Sequence, residues 1–222
     1  KSGEGVFGFR HDIERIESFR EEDAKIYSAK GQRLVKTMRE LKKLIVTVVN
    51  GEAFGPGFEV VLASDIVFAA KKSSFAFPEV NLGIMPGFGG VQIAARKTYE
   101  TFVKFLVCTG ESVDAEELFN KGMLCKVFSD AESMESYALE FCEKLTKRST
   151  FAMGLAKETV NNGIELDFNK ALLLEQNAFT LSFASRDKKE GMGAFIEKRK
   201  PDFKDRWEDL FFDDEEFYRK RD

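Results

Sequence analysis

The sequence predicts a protein of the α/β class. Residues 44–49 (Leu-Ile-Val-Thr-Val-Val) are an unbroken apolar and β-branched run, which is typical of a strand buried on both faces in a parallel sheet. The preceding residues 18–43 carry apolar side chains at mostly helical spacing among many charges, which predicts an amphipathic helix. A helix that leads directly into a buried strand indicates α/β winding.

The middle of the chain continues this alternation of short elements, and the breaks between them fall at glycine and proline. The predicted elements are, in order, a helix over residues 58–64, strands over residues 65–70 and 73–77, a helix after residues 87–90, a helix over residues 114–121 and a strand over residues 124–128.

Beyond residue 130 the sequence predicts helices only. They are expected over residues 130–147, 150–162, 167–184 and 187–198, followed by a helical tail over residues 202–222. The tail is rich in aromatic residues, which need a surface to cover. That surface is either the same subunit or a neighbouring subunit, and the sequence leaves both open.

Composition excludes several classes of protein. Of the 222 residues, 43% are hydrophobic, which suffices for a sizeable core, and the formal charge of −4 gives no basic field to attract nucleic acid. No apolar stretch approaches the roughly 20 residues that span a bilayer, so we expect a soluble protein. The three cysteines match no metal or disulfide pattern, which favours a reducing compartment and no metal site.

The start of the sequence is unusual. Lys1 stands where an initiator methionine is expected, and no signal-peptide stretch follows it. We therefore expect that the natural N-terminus lies upstream of Lys1. The predicted compartment is the cytoplasm, with the mitochondrial matrix left open because a targeting segment would precede this sequence.

Two glycine-containing loops have the composition of an anion-stabilising site. They cover residues 7–13 and 51–59, and the second leads into a predicted helix. Glycine allows the backbone to approach a ligand closely, and a helix N-terminus presents unpaired N–H groups. The loops could form an oxyanion hole, although glycine turns before helices are also common for purely structural reasons.

A third segment adds a second carboxylate. Glu79 follows Pro78 and lies 20 residues after Glu59, with two strand-like runs between them. An excursion of that length can run out and return, which would place Glu79 near Glu59. Paired carboxylates favour one protonated and one ionised group, and so supply an acid and a base together.

Taken in order, these segments resemble the enoyl-CoA hydratase family of the crotonase superfamily from about residue 3 to residue 204. The resemblance is carried by Gly51-x-Ala53-x-Gly55-x-Gly57-x-Glu59, Pro78-Glu79-x-x-Leu82-Gly83, Pro86-Gly87-x-Gly89-Gly90 and Glu190-Gly191-Met192-x-Ala194-Phe195-x-Glu197-Lys198-Arg199. It implies a spiral of ββα turns over residues 1–147, without its first strands, and a helical oligomerisation region over residues 148–222. It also implies a homotrimer, or a hexamer built as a dimer of trimers.

The resemblance implies an enoyl-CoA hydratase, as in fatty acid β-oxidation. Glu59 and Glu79 would add water reversibly to a trans-2-enoyl-CoA, with no cofactor other than the coenzyme A of the substrate. Two alternatives stay open. One is an isomerase that moves the double bond with Glu79 alone, and the other is a degenerate member that binds acyl-CoA or a partner protein without catalysis.

The implied oxyanion hole departs from the family pattern. Its two backbone donors fall on His11 and Pro56, but proline has no N–H. The amide of Gly57 is the expected substitute, and weakened or altered activity is the alternative. Other residues that the resemblance assigns to substrate binding are Phe9, Asp12, Ile13, Phe54, Pro56 and Gly87. His11 is the only histidine, and its implied role is that of its backbone.

Overall fold

The computed structural model describes residues 5–8 and 11–207, which contain seven β-strands and ten α-helices. The strands are β1 (Gly5–Val6), β2 (Val46–Val49), β3 (Gly51–Phe54), β4 (Ile66–Ala70), β5 (Ser74–Ala76), β6 (Val113–Asp114) and β7 (Lys126–Phe128). The helices are α1 (Ile13–Glu17), α2 (Glu21–Glu40), α3 (Pro56–Ala63), α4 (Gly90–Lys97), α5 (Glu100–Thr109), α6 (Ala115–Asn120), α7 (Ala131–Thr146), α8 (Thr150–Gly163), α9 (Phe168–Ser182) and α10 (Arg186–Ile196). A 3-10 helix covers Pro78–Leu82.

The strands form two small sheets. One has the order β1-β3-β5-β6 and the other the order β2-β4-β7. All described pairs are parallel except β5 with β6. Parallel neighbours need a crossover, and α3 lies both on the connection from β2 to β4 and on the connection from β3 to β5. This topology confirms the predicted α/β class.

Most predicted elements are present, with ends that differ by a few residues. The prediction of a strand buried on both faces is wrong for residues 44–49. The strand there is β2, which lies at the edge of its sheet and alternates between half-buried and buried positions. The central strand β4 is the one with a nearly continuous buried run. Helix α5 and strand β3 were not predicted.

The chain divides into two compact units. The first comprises residues up to Arg39 together with Ile45–Glu140, and the second comprises Glu40–Leu44 and the residues from Phe141 onward. In the first unit, Phe58 on α3 packs against Phe77 and Phe75, with ring centroids 4.8 and 5.5 Å apart. All three rings are fully buried, so α3 is anchored in the core beside the strand and turn that lead to Glu79.

In the second unit, α8 and α9 pack together. The last described residues fold back on α10, where Asp187 accepts from the N–H groups of Lys204 and Asp205. Arg199 makes two hydrogen bonds to the carboxylate of Glu190, at 2.6 and 3.0 Å, so the Glu190 to Arg199 segment has a structural role. The predicted tail helix is wrong for residues 202–206, which have no regular structure. Trp207 packs on Phe151 of its own unit, and residues 208–222 lie outside the described residues.

The described residues contain neither a membrane-spanning helix nor a group of side chains that could bind a metal ion. No helix there is both long and apolar enough to cross a membrane. No three histidine, cysteine, aspartate or glutamate side chains in that part of the chain are grouped so that they could hold a metal ion.

Candidate active site

Helix α3 fixes the position of Glu59. Gly55 is its N-cap residue, with φ of 52°, and Pro56 is its first helical residue, where a missing N–H costs no intrahelical hydrogen bond. The N–H of Glu59 donates to the Gly55 carbonyl at 3.0 Å and closes the first turn. All eight residues of α3 are buried, so the helix carries its glutamate into the interior.

The carboxylate of Glu59 is fully buried and is held by backbone donors. Its Oε1 accepts hydrogen bonds from the N–H groups of Phe88 and Gly90, at 2.9 and 2.8 Å. Its Oε2 is buried and has no partner among the described residues. Gly90 is required here because a Cβ would lie 2.5 Å from Glu59 Cγ. The absence of a side chain at Gly90 therefore leaves room for the side chain of Glu59.

The pKa of Glu59 is raised to about 7, chiefly by burial and also by the negative charge of Glu79. The two backbone hydrogen bonds and the nearby His11 act in the opposite direction. Desolvation is the largest cause, because a charge is costly to hold away from water. A carboxyl group with such a pKa can accept or release a proton near neutral pH.

Glu79 lies in the 3-10 helix Pro78–Leu82 and is 1% exposed. A Cβ on Gly55 would lie 2.6 Å from Glu79 Oε1, so only glycine lets the backbone of that turn approach the carboxylate. Glu79 Oε1 thus lies against Gly55, the N-cap residue of the helix that carries Glu59, which brings Glu79 back to the neighbourhood of Glu59 as predicted.

The side chain of His11 contacts Glu79, which the sequence analysis did not anticipate. His11 Nε2 lies 3.3 Å from Glu79 Oε1, and His11 Nδ1 lies 3.1 Å from the hydroxyl of Tyr27. One feature of the sequence could have indicated this contact, because the only histidine of the chain lies in a loop that was already assigned to the site.

A cavity of about 350 Å³ adjoins this cluster. Its lining consists of His11, Ile13, Glu52, Phe54, Gly55, Pro56, Pro78, Glu79 and Leu82. Five residues predicted from the sequence thus share its wall, namely His11, Ile13, Phe54, Pro56 and Glu79. The wall is mainly apolar with one buried carboxylate, which suits an acyl chain with a reacting centre.

The other predicted residues that the structure describes do not line this cavity. Glu59 and Gly57 on α3 are not among its lining residues, and Asp12 caps α1 by accepting from the N–H of Arg15. Phe9 lies outside the described residues. The carbonyl of Gly87 accepts from the hydroxyl of Ser28 at 2.6 Å, which ties the glycine loop to α2.

The donors around Pro56 bear on the predicted oxyanion hole. The Gly55 N–H donates to the carbonyl of Ala76 at 2.9 Å, and Pro56 has no N–H. Gly57 and Phe58 precede the first intrahelical donor, Glu59, so their amides belong to the set that an α-helix leaves without an intrahelical acceptor. Of this turn, however, only Gly55 and Pro56 face the cavity.

We expect Glu59→Gln to stabilise the protein more at high pH than at low pH. The folded state holds the carboxyl proton up to about pH 7, whereas an exposed glutamate loses it near pH 4.3. The wild type therefore loses stability as the pH rises between these values, by up to about 4 kcal/mol. Urea unfolding at pH 4.5 and pH 8 should show the variant's relative gain only at pH 8. Glu52→Gln, which removes an exposed carboxylate, is the matched control, and an equal gain at both pH values would contradict the burial argument.

Two buried, electrostatically coupled carboxylates beside an apolar cavity define a site for acid–base chemistry on a small molecule. The chain matches the family described as Enoyl-CoA hydratase/isomerase over residues 1–206. Enoyl-CoA hydratase, mitochondrial, of Pongo abelii is 34% identical over 203 residues, which are 91% of this chain and 69% of that relative. Crotonyl-CoA hydratase of Syntrophomonas wolfei is 34% identical over 202 residues, 91% of this chain and 77% of that relative.

A solved structure gives the same result. The crystal structure of enoyl-CoA hydratase from Bacillus anthracis superimposes with a TM-score of 0.86 at 31% identity, covering 91% of this chain and 78% of that one. This chain therefore belongs to the enoyl-CoA hydratase/isomerase family. The predicted crotonase-type fold is confirmed.

Proposed function

We propose that this protein is an enoyl-CoA hydratase, which adds water reversibly to a trans-2-enoyl-CoA. The observation that carries the proposal is the pair Glu59 and Glu79, both buried, with the charge of one acting on the other. Two such carboxylates can hold different protonation states near neutral pH, which is the requirement for supplying an acid and a base in one step. The hydratases among its relatives support the same reaction.

In the proposed reaction the thioester lies in the cavity with its carbonyl oxygen at the N–H of His11. Glu59 takes a proton from water as the hydroxyl adds to the β-carbon, and Glu79 gives its proton to the α-carbon. Developing negative charge on the thioester oxygen is stabilised by this backbone donor. One proton then returns from Glu59 to Glu79 by exchange, which restores the starting state.

The proposed function is tested by following the loss of enoyl-thioester absorbance with crotonyl-CoA and longer trans-2-enoyl-CoAs. Formation of the 3-hydroxyacyl-CoA, confirmed by mass spectrometry, is the expected result. The absence of turnover with all chain lengths, together with measurable binding of acyl-CoA, would instead support the degenerate binding protein.

Double-bond isomerisation is a second candidate, favoured by one observation. Glu79 lines the cavity and Glu59 does not, and a single carboxylate suffices to move one proton between two carbons. The test is a 3-enoyl-CoA substrate. Faster conversion of the 3-enoyl than hydration of the 2-enoyl substrate would favour the isomerase.

We expect Pro56→Gly to raise kcat about tenfold or more. Position 56 faces the cavity and lacks an N–H, while Gly57 does not line the cavity, so the substitution adds a donor where charge develops. A donor that acts in the transition state should change KM little. Pro56→Ala is the matched variant, because it restores the N–H without the flexibility of glycine. An unchanged or lower kcat in both variants would mean that Gly57 already donates.

We propose that the protein assembles as a homotrimer or as a hexamer of two trimers. The second unit exposes large aromatic side chains, with Phe168, Phe179 and Phe195 being 76%, 65% and 84% exposed. Exposed apolar area of this kind is typical of an interface. Multi-angle light scattering should give a mass that is a multiple of three times 25.2 kDa, and Phe179→Asp combined with Phe195→Asp should reduce it. A monomer at micromolar concentration would contradict the proposal.

We also propose that the substrate is an acyl-CoA and that the enzyme uses no cofactor apart from the coenzyme A of that substrate. We propose no nucleic acid partner. The cytoplasm remains the proposed compartment. A mitochondrial location is the alternative, because one of the relatives is mitochondrial.

A further inference from the structure

We infer that the side chain of His11 positions the carboxylate of Glu79 through a chain of polar contacts from Tyr27 to His11 to Glu79. This role is additional to that of the His11 backbone in the oxyanion hole. The inference rests on the proposed function, because it assigns a positioning residue to the same site.

The two ring nitrogens of His11 meet different partners. Nδ1 lies 3.1 Å from the Tyr27 hydroxyl on α2, and Nε2 lies 3.3 Å from Glu79 Oε1. Nε2 and both oxygens of Glu79 are buried and have no hydrogen-bond partner among the described residues. A buried carboxylate without a donor is costly, and the imidazole is the polar group that lies nearest to it, at 3.3 Å. This contact lies just beyond the usual range of an N–H···O hydrogen bond, and such contacts in catalytic sites commonly tighten in the substrate complex.

The partners assign the position of the imidazole proton. The Tyr27 hydroxyl, which keeps its proton because burial raises its pKa, can either donate to Nδ1 or accept from it. The Glu79 carboxylate at Nε2 needs a donor there, which leaves Nδ1 as the acceptor from Tyr27. A neutral imidazole that accepts at Nδ1 carries its hydrogen on Nε2, directed at Glu79. A protonated imidazole would also donate from Nε2. His11 therefore presents a donor to Glu79 in either state.

Packing restricts the ring and the carboxylate. Phe88 lies against both the His11 and the Tyr27 rings, with centroids 5.8 and 5.2 Å away. Phe88 fits there because residue 31 is glycine, where a Cβ would lie 2.0 Å from the Phe88 ring. The backbone N–H of Phe88 also binds Glu59, so the same residue supports both glutamates.

Glu79 is confined from two sides. Its Oε1 closely approaches Gly55 on one side and faces His11 Nε2. The charged groups that act on this cluster are Glu59 on α3, and Asp12 and Arg15 near Tyr27. A carboxylate held in this way needs less reorganisation to reach the α-carbon of a bound thioester, so the contribution of His11 should appear in kcat.

The first experiment is spectroscopic and needs no turnover. Because His11 is the only histidine, ¹⁵N-histidine labelling of the full chain gives one imidazole ring to observe. We expect the Nε2–H tautomer in the wild type and a loss of this preference in Tyr27→Phe. Tyr99→Phe, which alters an exposed tyrosine outside the site, should leave the tautomer unchanged. A predominant Nδ1–H tautomer in the wild type would overturn the inference.

The second experiment uses kinetics. His11→Ala keeps the backbone N–H, so any loss belongs to the side chain, and we expect kcat to fall about tenfold with little change in KM. His11→Gln should recover part of the loss, because its amide can donate to Glu79. An unchanged kcat in His11→Ala, with the fold confirmed by its unfolding midpoint, would overturn the inference. A correct tautomer in a protein that turns over no enoyl-CoA would support the positioning chain and overturn only the proposed reaction.

Discussion

Glu79→Gln should lower kcat by about a thousandfold while leaving the affinity for a saturated acyl-CoA unchanged. Proton transfer by a positioned side chain contributes typically 10²–10⁴-fold, and Glu79 is the buried carboxylate that lines the cavity in either catalytic candidate. Glutamine keeps the shape and can no longer carry the α-carbon proton. The measurements are steady-state hydration of crotonyl-CoA and calorimetric binding of butyryl-CoA.

Glu52→Gln is the matched control for this variant. Glu52 also lines the cavity but is exposed, so its replacement should retain most of the turnover. Near-normal turnover in Glu79→Gln would remove Glu79 from the reaction. Equal losses in Glu52→Gln and Glu79→Gln would indicate a general electrostatic effect on substrate binding and not proton transfer.

Glu59→Gln should lower hydration at least about a hundredfold and isomerisation of a 3-enoyl-CoA much less. Hydration needs a base to activate water, and the pKa of Glu59, raised to about 7 by burial, suits that task near neutral pH. Glutamine can still accept from the Phe88 and Gly90 N–H groups through its carbonyl, so the loop that holds it should persist.

The pH dependence of the wild type provides the companion measurement. The rate of hydration should fall as the pH drops below about 7, since protonation of Glu59 removes the base. A hydration rate that is unaffected by Glu59→Gln would assign the chemistry to Glu79 alone and favour the isomerase. Tolerance of both glutamine variants would favour a protein that binds acyl-CoA without catalysis.

At pH 8, Glu59→Gln should raise the free energy of unfolding and lower the rate of hydration. The variant should unfold at higher urea concentration and hydrate more slowly, because the buried carboxyl group lowers stability in the state that catalysis requires. Such a trade-off distinguishes a functional buried charge from one that serves packing.

The sequence by itself determined the class of fold, the family and the identity of both glutamates. These features depend on local patterns: β-branched runs predict strands, glycine and proline mark the turns, and the spacing of Glu59 and Glu79 is set along the chain. Strand β2 shows the limit, because an edge strand and a central strand carry similar residues, and only the pairing partners distinguish them.

The tertiary structure decided how the site residues meet. It placed His11 against Glu79, which lies 68 positions further along the chain. It brought the backbone N–H groups of Phe88 and Gly90 into hydrogen-bonding distance of the Glu59 carboxylate. It also placed Pro56, and not Gly57, at the cavity wall. Side-chain contacts, burial and the pKa of Glu59 depend on groups brought together from distant parts of the chain, and no local pattern records those distances.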